Sequence, residues 1–362
     1  MSPALPASTP SAEAFAPLLL AWYDRHARAL PWRVGPLERA VGVRPDPYRV
    51  WLSEIMLQQT TVQAVKSYFE SFIERWPTVH DLAASQTEDV MKAWAGLGYY
   101  SRARNLKKCA DQIAADLDGR FPETEQELRE LPGIGHYTAA AIAAIAFDIP
   151  AAVVDGNVER VFTRLHEIAT PLPSAKSEIR AKVALATPEA RPGDFAQALM
   201  DLGSTICTPK RPACALCPLK DGCAARASGS QEEFPVKAPK RAKPVRKGAA
   251  FVAERGDGAV LLVKRPDKGL LGGMTGLPSS NWTARADGET GISAAPFAAR
   301  WSQTGTISHV FTHFELRLEV FHAVVSGKTD HPGWWSPSET LAGEALPTVM
   351  KKALASALPD RF

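Results

Sequence analysis

The sequence predicts an all-α region over its first two thirds and a separate α+β region after it. Three observations carry this. Apolar residues recur at helical spacing, with no strand-like alternation, before residue 248. A Pro- and Lys/Arg-rich stretch without periodicity, SGSQEEFPVKAPKRAKPVRKGAA, follows at 228–250 and reads as an extended linker. Beyond it come strand-like runs at Ala259–Val263 and Leu316–Val325, separated by Gly/Pro turns. A chain of 362 residues has room for two or three such domains.

In order, a Pro/Ser/Ala tail at 1–12 is expected to be disordered. Phe15, Leu18, Leu19, Trp22 and Tyr23 then mark a helix. Residues 34–47, with glycine and three prolines, are expected to be loop. A helix is expected over Tyr48–Val65, with Tyr48, Trp51, Ile55 and Val62 as its buried stripe, and others at 66–75, 87–96, 102–116 and 124–130. The turn Pro132-Gly133-Ile134-Gly135 leads into a small-residue helix over Thr138–Phe147, and further helices are expected at 157–169, 175–187 and 193–205. In the last third, weak helical patterns fall at 339–343 and 348–357.

The net charge is only +3, so no polyanion partner is announced by the total, and local charge must carry that argument. No apolar run is long enough to span a membrane. No basic residue precedes the apolar part of the N-terminus, which argues against a secretory signal or transit peptide and for an intracellular setting. Four of the five cysteines crowd into Cys207-x6-Cys214-x2-Cys217-x5-Cys223. In a reducing compartment that spacing reads as a metal loop, and four thiolates suit either tetrahedral zinc or a cubane iron–sulfur cluster. Lys210, Arg211 and Lys220 in or beside the loop suit phosphate contacts, or the loop is a structural staple. Lone Cys109 reads as a buried small hydrophobe on a helix.

Gly133 and Gly135 allow a tight turn and close approach of the backbone to another molecule, and the next helix presents free N–H groups suited to phosphate. The glycines alone would favour an ordinary helix–helix turn, but the small residues Thr138–Ala141 after them, which allow two helices to pack closely, favour the binding reading. Asp155 reads either as a helix N-cap or as a catalytic carboxylate. Glu54 lies among Val50, Trp51, Leu57 and Gln58; a carboxyl desolvated there would serve as a general acid, whereas periodicity alone would also allow an exposed mid-helix Glu. Gln58-Gln59 at an apolar helix end suits hydrogen bonding to bases. Gly98-Tyr99-Tyr100 precedes Arg102, Arg104, Lys107 and Lys108, a mixture that fits stacking with phosphate neutralisation.

Taken together, LPWR at 30–33, WLSEIMLQQT at 51–60, GLGYYSRARNL at 96–106, LPGIGHYTA at 131–139, VDGNVERV at 154–161 and the closing cysteine cluster resemble the MutY-type adenine DNA glycosylases of the helix-hairpin-helix superfamily. The resemblance is strong over residues 12–226 and weaker over 248–357. It implies two helical subdomains with an iron–sulfur loop at 207–223, within a glycosylase domain at 12–227. A basic linker at 228–247 and a Nudix-like α+β domain at 248–362 that recognises 8-oxoguanine would follow. It further implies a [4Fe–4S] cluster on Cys207, Cys214, Cys217 and Cys223, and a duplex DNA substrate holding adenine opposite 8-oxoguanine or guanine. Glu54 matches the acid that protonates a flipped-out adenine at N7, and Asp155 the carboxylate that stabilises the oxocarbenium-like sugar. Tyr137 and Asn157 match assisting positions, Gln59 and Tyr99 match wedge residues, and Arg33 matches a contact near the adenine. Phe311-Thr312-His313 matches the loop that senses 8-oxoguanine, with Thr312 where the family usually has Ser.

Two departures stand out. Residues 34–46 make a longer loop than in bacterial relatives, and no REx2EExG run appears near Gly272–Trp282, so pyrophosphate hydrolysis is not expected. An endonuclease III-like glycosylase/lyase would need an amine at the hairpin, where this chain has Tyr137; a non-catalytic iron–sulfur DNA binder would need neither Glu54 nor Asp155. The sequence is thus expected to encode a monofunctional, monomeric enzyme acting on double-stranded DNA in a bacterial cytoplasm, nucleoid-associated and away from membrane, with no docking motif for a protein partner. Lys237, Lys240, Arg241, Lys243, Arg246 and Lys247 of the linker are candidates to lie along phosphates.

Overall fold

The computed structural model describes residues 12–239, 242–266, 269–326 and 329–361. Residues 1–11 of the tail, and Lys240 and Arg241 of the linker, lie outside the described residues. The chain divides into two compact units, one of residues 1–84 and 108–240, the other of residues 85–107 and 241–362.

The chain begins with α1 (Ala12–His26), which buries Phe15, Leu19, Trp22 and Tyr23 and leaves Leu18 half exposed. Residues 34–47 are not all loop: Pro36–Ala40 form a short helix, α2. Pro36 presets the backbone at its first turn, and the Glu38 carboxylate accepts the Gly35 N–H at 2.8 Å. The single helix expected over Tyr48–Val65 is two, α3 (Pro47–Leu57) and α4 (Val62–Arg75). Gln59 breaks them with a left-handed φ of 63°, and Thr61 restarts the helix by accepting the Ala64 N–H. The apolar periodicity runs across that break and hid it. Helix α5 (Val79–Ala84) was not foreseen, and α6 (Thr87–Ala93), α7 (Ser101–Asp116) and α8 (Glu125–Leu128) follow near their expected places. Cys109 is fully buried on α7, as its sequence context predicts.

Next come α9 (His136–Phe147), α10 (Gly156–Leu165), α11 (Lys176–Ala186), α12 (Pro192–Thr205) and the short α13 (Ala224–Ser228). Helix α9 is apolar all round, and every residue from Thr138 to Ala146 is buried. Its alanines present little more than backbone to its neighbours. Gly193 uses that space: a Cβ there would stand 2.4 Å from the Ala144 carbonyl oxygen. The far end of α9 is tied down from α2. Arg39 donates to the Ile145 carbonyl at 3.3 Å and is ion-paired with Asp148, the left-handed residue that ends α9.

In the second unit a six-stranded mixed sheet has the order β3 (Thr275–Gly276), β2 (Val260–Lys264), β1 (Val245–Arg255), β5 (Glu315–Val325), β4 (Ser302–Val310), with β6 (Trp334–Ser336) also pairing β2. β1 and β5 are parallel, in register from Val245 opposite Glu315 to Arg255 opposite Val325. Val245–Ala250, read as linker in the sequence, are therefore strand, and so are Arg246 and Lys247. The reason is burial on both faces. Ala250 and Val252 point into one apolar cluster, Ala249, Phe251 and Ala253 into the other, so the run shows no alternation. Of the remaining linker cations, Lys243 donates to the Phe311 carbonyl at 2.8 Å. α14 (Ser338–Leu341) and α15 (Thr348–Ala357) complete the unit, and α15 packs Val349, Met350, Ala353 and Leu354 on the first face.

The close packing on α9 sets a test. Gly193→Ala should destabilise the chain by about 1–3 kcal/mol, the usual cost of overpacking, read as a lowered midpoint in denaturant at unchanged slope. An unaltered midpoint would mean that α12 can move away freely.

Candidate active site

Helix α3 buries Tyr48, Val50, Trp51, Leu52, Ser53, Glu54, Ile55 and Met56, so it has no broad solvent face on which Glu54 could stand exposed. Glu54 is only 5% exposed. Its carboxylate accepts a hydrogen bond from the Tyr137 hydroxyl at 2.7 Å. Burial pushes its pKa from 4.5 up to about 7; the Tyr137 hydrogen bond opposes the shift, the charge of Asp155 adds to it, and Arg33 opposes it. The Tyr137 phenol is itself held well above its usual range, by burial first and then by the two carboxylates. It is a proton-holding donor at neutral pH.

Asp155 meets the first of its sequence readings, that of a helix cap. It is the N-cap of α10, with Oδ1 accepting the backbone N–H groups of Asn157 at 2.9 Å and Val158 at 2.7 Å. It also lines the same cleft as Glu54. Its Oδ2 accepts from the Asn157 side chain at 2.8 Å, which fixes the plane of the carboxylate. The cleft is about 440 Å³ and is walled by Glu54, Asp155, Tyr137, Asn157, Arg33, Gln58 and Gln59 among others. Six separate stretches of the first unit thus converge on it.

The supports of these residues were not legible in the sequence. Asp201, fully buried in α12, accepts from Arg33 at 2.9 Å on both oxygens and from Arg28 at 2.7 Å. A charged residue inside the apolar run FAQALMDLG was the available signal. Arg160 joins Asn157 Oδ1, at 2.8 Å, to the carbonyls of Gly203 and Cys207. Gly203 permits this approach, since a Cβ there would lie 2.6 Å from the Cβ of Asn157. Lys176 also lines the cleft, ion-paired with Glu159 at 3.0 Å. Gln58 donates to Thr138 Oγ1 at 3.1 Å, locking the end of α3 to α9, and exposed Gln59 holds its left-handed turn at the cleft wall.

At the hairpin, Gly133 has φ 79° and Gly135 is the N-cap of α9 with no side-chain cap, and both are exposed. The first-turn N–H groups of a buried helix are therefore presented outward, a ready anion site. In the second unit, Tyr99 (46% exposed, φ 48°) meets Thr312 by a hydroxyl–hydroxyl hydrogen bond of 2.8 Å. Exposed His313 follows in the same β4–β5 turn.

Cys207, Cys214, Cys217 and Cys223 are half-buried and unbridged, and burial and mutual charge raise the pKa of Cys214, Cys217 and Cys223, Cys217 to about 12. Arg164, 2% exposed, organises the loop. It donates to the carbonyls of Thr208 (2.7 Å), Pro209 (3.0 Å) and Phe234 (3.3 Å) and to the Cys207 sulfur (3.3 Å). A buried cation against the Cys207 sulfur, in a loop that carries four unbridged cysteines, suits a negatively charged thiolate–metal group.

Residues 52–187 match the HhH-GPD superfamily of base excision DNA repair proteins, and residues 249–356 a NUDIX domain. Residues 207–223 match the iron–sulfur binding domain of endonuclease III. The human adenine DNA glycosylase is 37% identical over 94% of this chain and 73% of its own length. The chain belongs to the adenine DNA glycosylase family. The family's member from Mycolicibacterium smegmatis is 41% identical over 58% of this chain and 69% of its own. Among solved structures, a thermostable thymine-DNA glycosylase superposes with a TM-score of 0.53 at 28% identity, over 60% of this chain and 97% of that one. Membership makes the chain a base-excision repair enzyme with a helix-hairpin-helix region and a Nudix-like region. The cysteine loop is its iron–sulfur site, which settles the choice that spacing left open between zinc and iron–sulfur. Among the described residues no helix is long and apolar enough to cross a membrane.

Two outcomes follow from these buried charges. Arg164→Met should lower the iron bound per chain and reduce stability by at least about 3 kcal/mol, since it strands buried carbonyls and thiolates; iron quantitation and thermal unfolding read both. Glu54 has a raised folded pKa, so its proton-linked contribution is fully present below about 4.5 and lost as pH rises through about 7. The shift corresponds to about 3 kcal/mol. Glu54→Gln should therefore stabilise the chain more at pH 8 than at pH 5, and equal effects at both would deny the shift.

Proposed function

We propose that the chain hydrolyses the N-glycosidic bond of adenine mispaired with 8-oxoguanine or guanine in duplex DNA. The observation that carries this reading is the pair of carboxyls in one cleft, one of them desolvated enough to hold its proton near pH 7. Adenine is a poor leaving group until a ring nitrogen is protonated, and its glycosidic bond is out of reach inside a stacked duplex. The base is flipped into the cleft, and Glu54 gives its proton to adenine N7 while Tyr137 holds the carboxyl in place. As the bond breaks, positive charge spreads over the sugar carbon and ring oxygen. Asp155, its plane fixed by Asn157, stabilises that charge, and water completes the hydrolysis. The iron–sulfur group takes no step. When bound by the four cysteines it supplies a charged, rigid closure to the loop that Arg160 ties to Asn157.

Positioning comes from the hairpin. Gly133, Gly135 and the first turn of α9 would hold a phosphate, and Gln59 and Tyr99 would wedge the duplex. The Tyr99–Thr312 hydroxyl pair offers a donor and an acceptor for the oxidised base, which supports recognition by the second unit. Arg33, held by Asp201, would face the adenine. The domain division we favour is a glycosylase domain at 12–227, a linker and a recognition domain. The catalytic pair lies within one copy and requires no second. The hairpin carries Tyr137 in place of an amine, so no strand cleavage is expected. Acting on chromosomal DNA, the enzyme would work in the cytoplasm of a bacterial cell, beside the nucleoid.

Single-turnover adenine release tests this. The rate should be highest on adenine opposite 8-oxoguanine, lower opposite guanine and negligible opposite thymine. It should fall as pH rises above about 7, where Glu54 loses its proton. Glu54→Gln and Asp155→Asn should each lose at least about a hundredfold. Wild-type rates in both variants, or no preference for mispairs, would refute the assignment.

A further inference from the structure

Among the described residues that line the cleft of Glu54 and Asp155 stand three carboxyls, Glu54, Asp155 and Glu159, and three cations, Arg28, Arg33 and Lys176. Two of the cations are committed to buried Asp201. Arg33, with 8% of its side chain exposed, donates to both oxygens, and Arg28, with 26% exposed, donates through its Nε and its backbone N–H. Lys176 differs. Its side chain is 57% exposed, and its partner at 3.0 Å is Glu159, a residue of the cleft wall itself. The backbone beneath it is fixed. Lys176 is the first residue of α11, its N–H donates to the Pro173 carbonyl at 3.1 Å, and Ala175 before it is buried. Only the side chain is left to move. A lysine carries a compact charge on a flexible stem, and an ion pair this exposed holds weakly against water.

Turning a nucleotide out of the stack brings more than a base to the cleft. Its sugar follows, and the phosphates on either side are drawn to the rim. There they meet Asp155 and Glu159, groups of like charge at close range. Among the cations of the wall, Lys176 is the one with more than half of its side chain in solvent. We propose that Lys176 leaves Glu159 and binds the backbone phosphate beside the flipped nucleotide. Glu159 acts in the opposite sense: it neutralises Lys176 until such a phosphate arrives. The pair thereby favours DNA whose nucleotide is already turned out over an intact duplex. This role rests on the reading of the cleft as the site of adenine release.

Anisotropy titrations of the cluster-loaded full chain against two duplexes, over a range of KCl, test it. One duplex carries a tetrahydrofuran abasic analogue opposite 8-oxoguanine, and the other has the same sequence undamaged. Lys176→Gln should weaken the first about tenfold and flatten its plot of log affinity against log salt by about 0.9, the loss of one phosphate contact. The undamaged duplex, with no nucleotide turned out, should change by less than about twofold. Lys176→Arg should restore most of the loss, since it keeps the charge. Glu159→Gln should tighten the first duplex, because it removes the competing carboxylate. An ion pair that served structure alone would respond in the same direction to the loss of either partner. Equal weakening of both duplexes by Lys176→Gln, an unchanged salt slope, or weaker binding in Glu159→Gln would overturn the proposal. Adenine release by the wild type is measured separately on the 8-oxoguanine mispair. Release together with one of those results strikes only the role of Lys176, whereas no release strikes the reading of the cleft on which it rests.

Discussion

The first unit depends on the closeness with which its helices can approach α9. An alanine-rich helix buries little surface of its own, so its gain comes from letting neighbours reach its backbone. Gly193 brings α12 against Ala144, and Gln58 fastens the end of α3 to Thr138. Glu54 and Asp201 ride on those two neighbours and end up deep inside. The hairpin that starts α9 remains at the surface, with its glycines exposed. One helix therefore has a buried body that sets the acid in place and an outward end free to meet a ligand.

The charged groups Asp201, Asp155, Arg160 and Arg164 are tolerated in this interior because they are paired or hydrogen-bonded. Asp201 is surrounded by Arg28 and Arg33, and Asp155 satisfies the N-terminus of α10 with one oxygen and the Asn157 amide with the other. Capping and a place in the cleft are one geometry here, since a helix N-terminus that needs an acceptor also fixes where that acceptor stands. Arg160 and Arg164 extend the same bonding to the cysteine loop through its backbone carbonyls. Glu54 keeps a conflict, a carboxyl in a desolvated place, and that conflict raises its pKa to about 7.

Sequence and structure diverged most where periodicity gave no warning. The break between α3 and α4 comes from one left-handed residue, Gln59, inside an unbroken apolar pattern. Helix α2 rests on Pro36 and Glu38 in a segment that looks like loop by composition, and Arg39 gives it a partner at the end of α9. β1 has apolar neighbours on both faces, so its sequence shows neither alternation nor a boundary with the basic stretch before it.

The sequence by itself determined the helical and mixed regions, the cysteine loop, the hairpin and the identity of the candidate acid and carboxylate. The first three rest on local spacing, which the chain records directly; the acid and the carboxylate rest on the resemblance of WLSEIMLQQT and VDGNVERV to the family's motifs. Only the tertiary structure decided that Glu54 is buried, that Asp155 both caps a helix and lines a cleft, and that Asp201, Arg160 and Arg164 hold the surroundings together. Desolvation and charge pairing are properties of residues brought together from distant parts of the chain. Arg33 meets Asp201, and Arg160 meets Cys207, across separations that no local pattern can express.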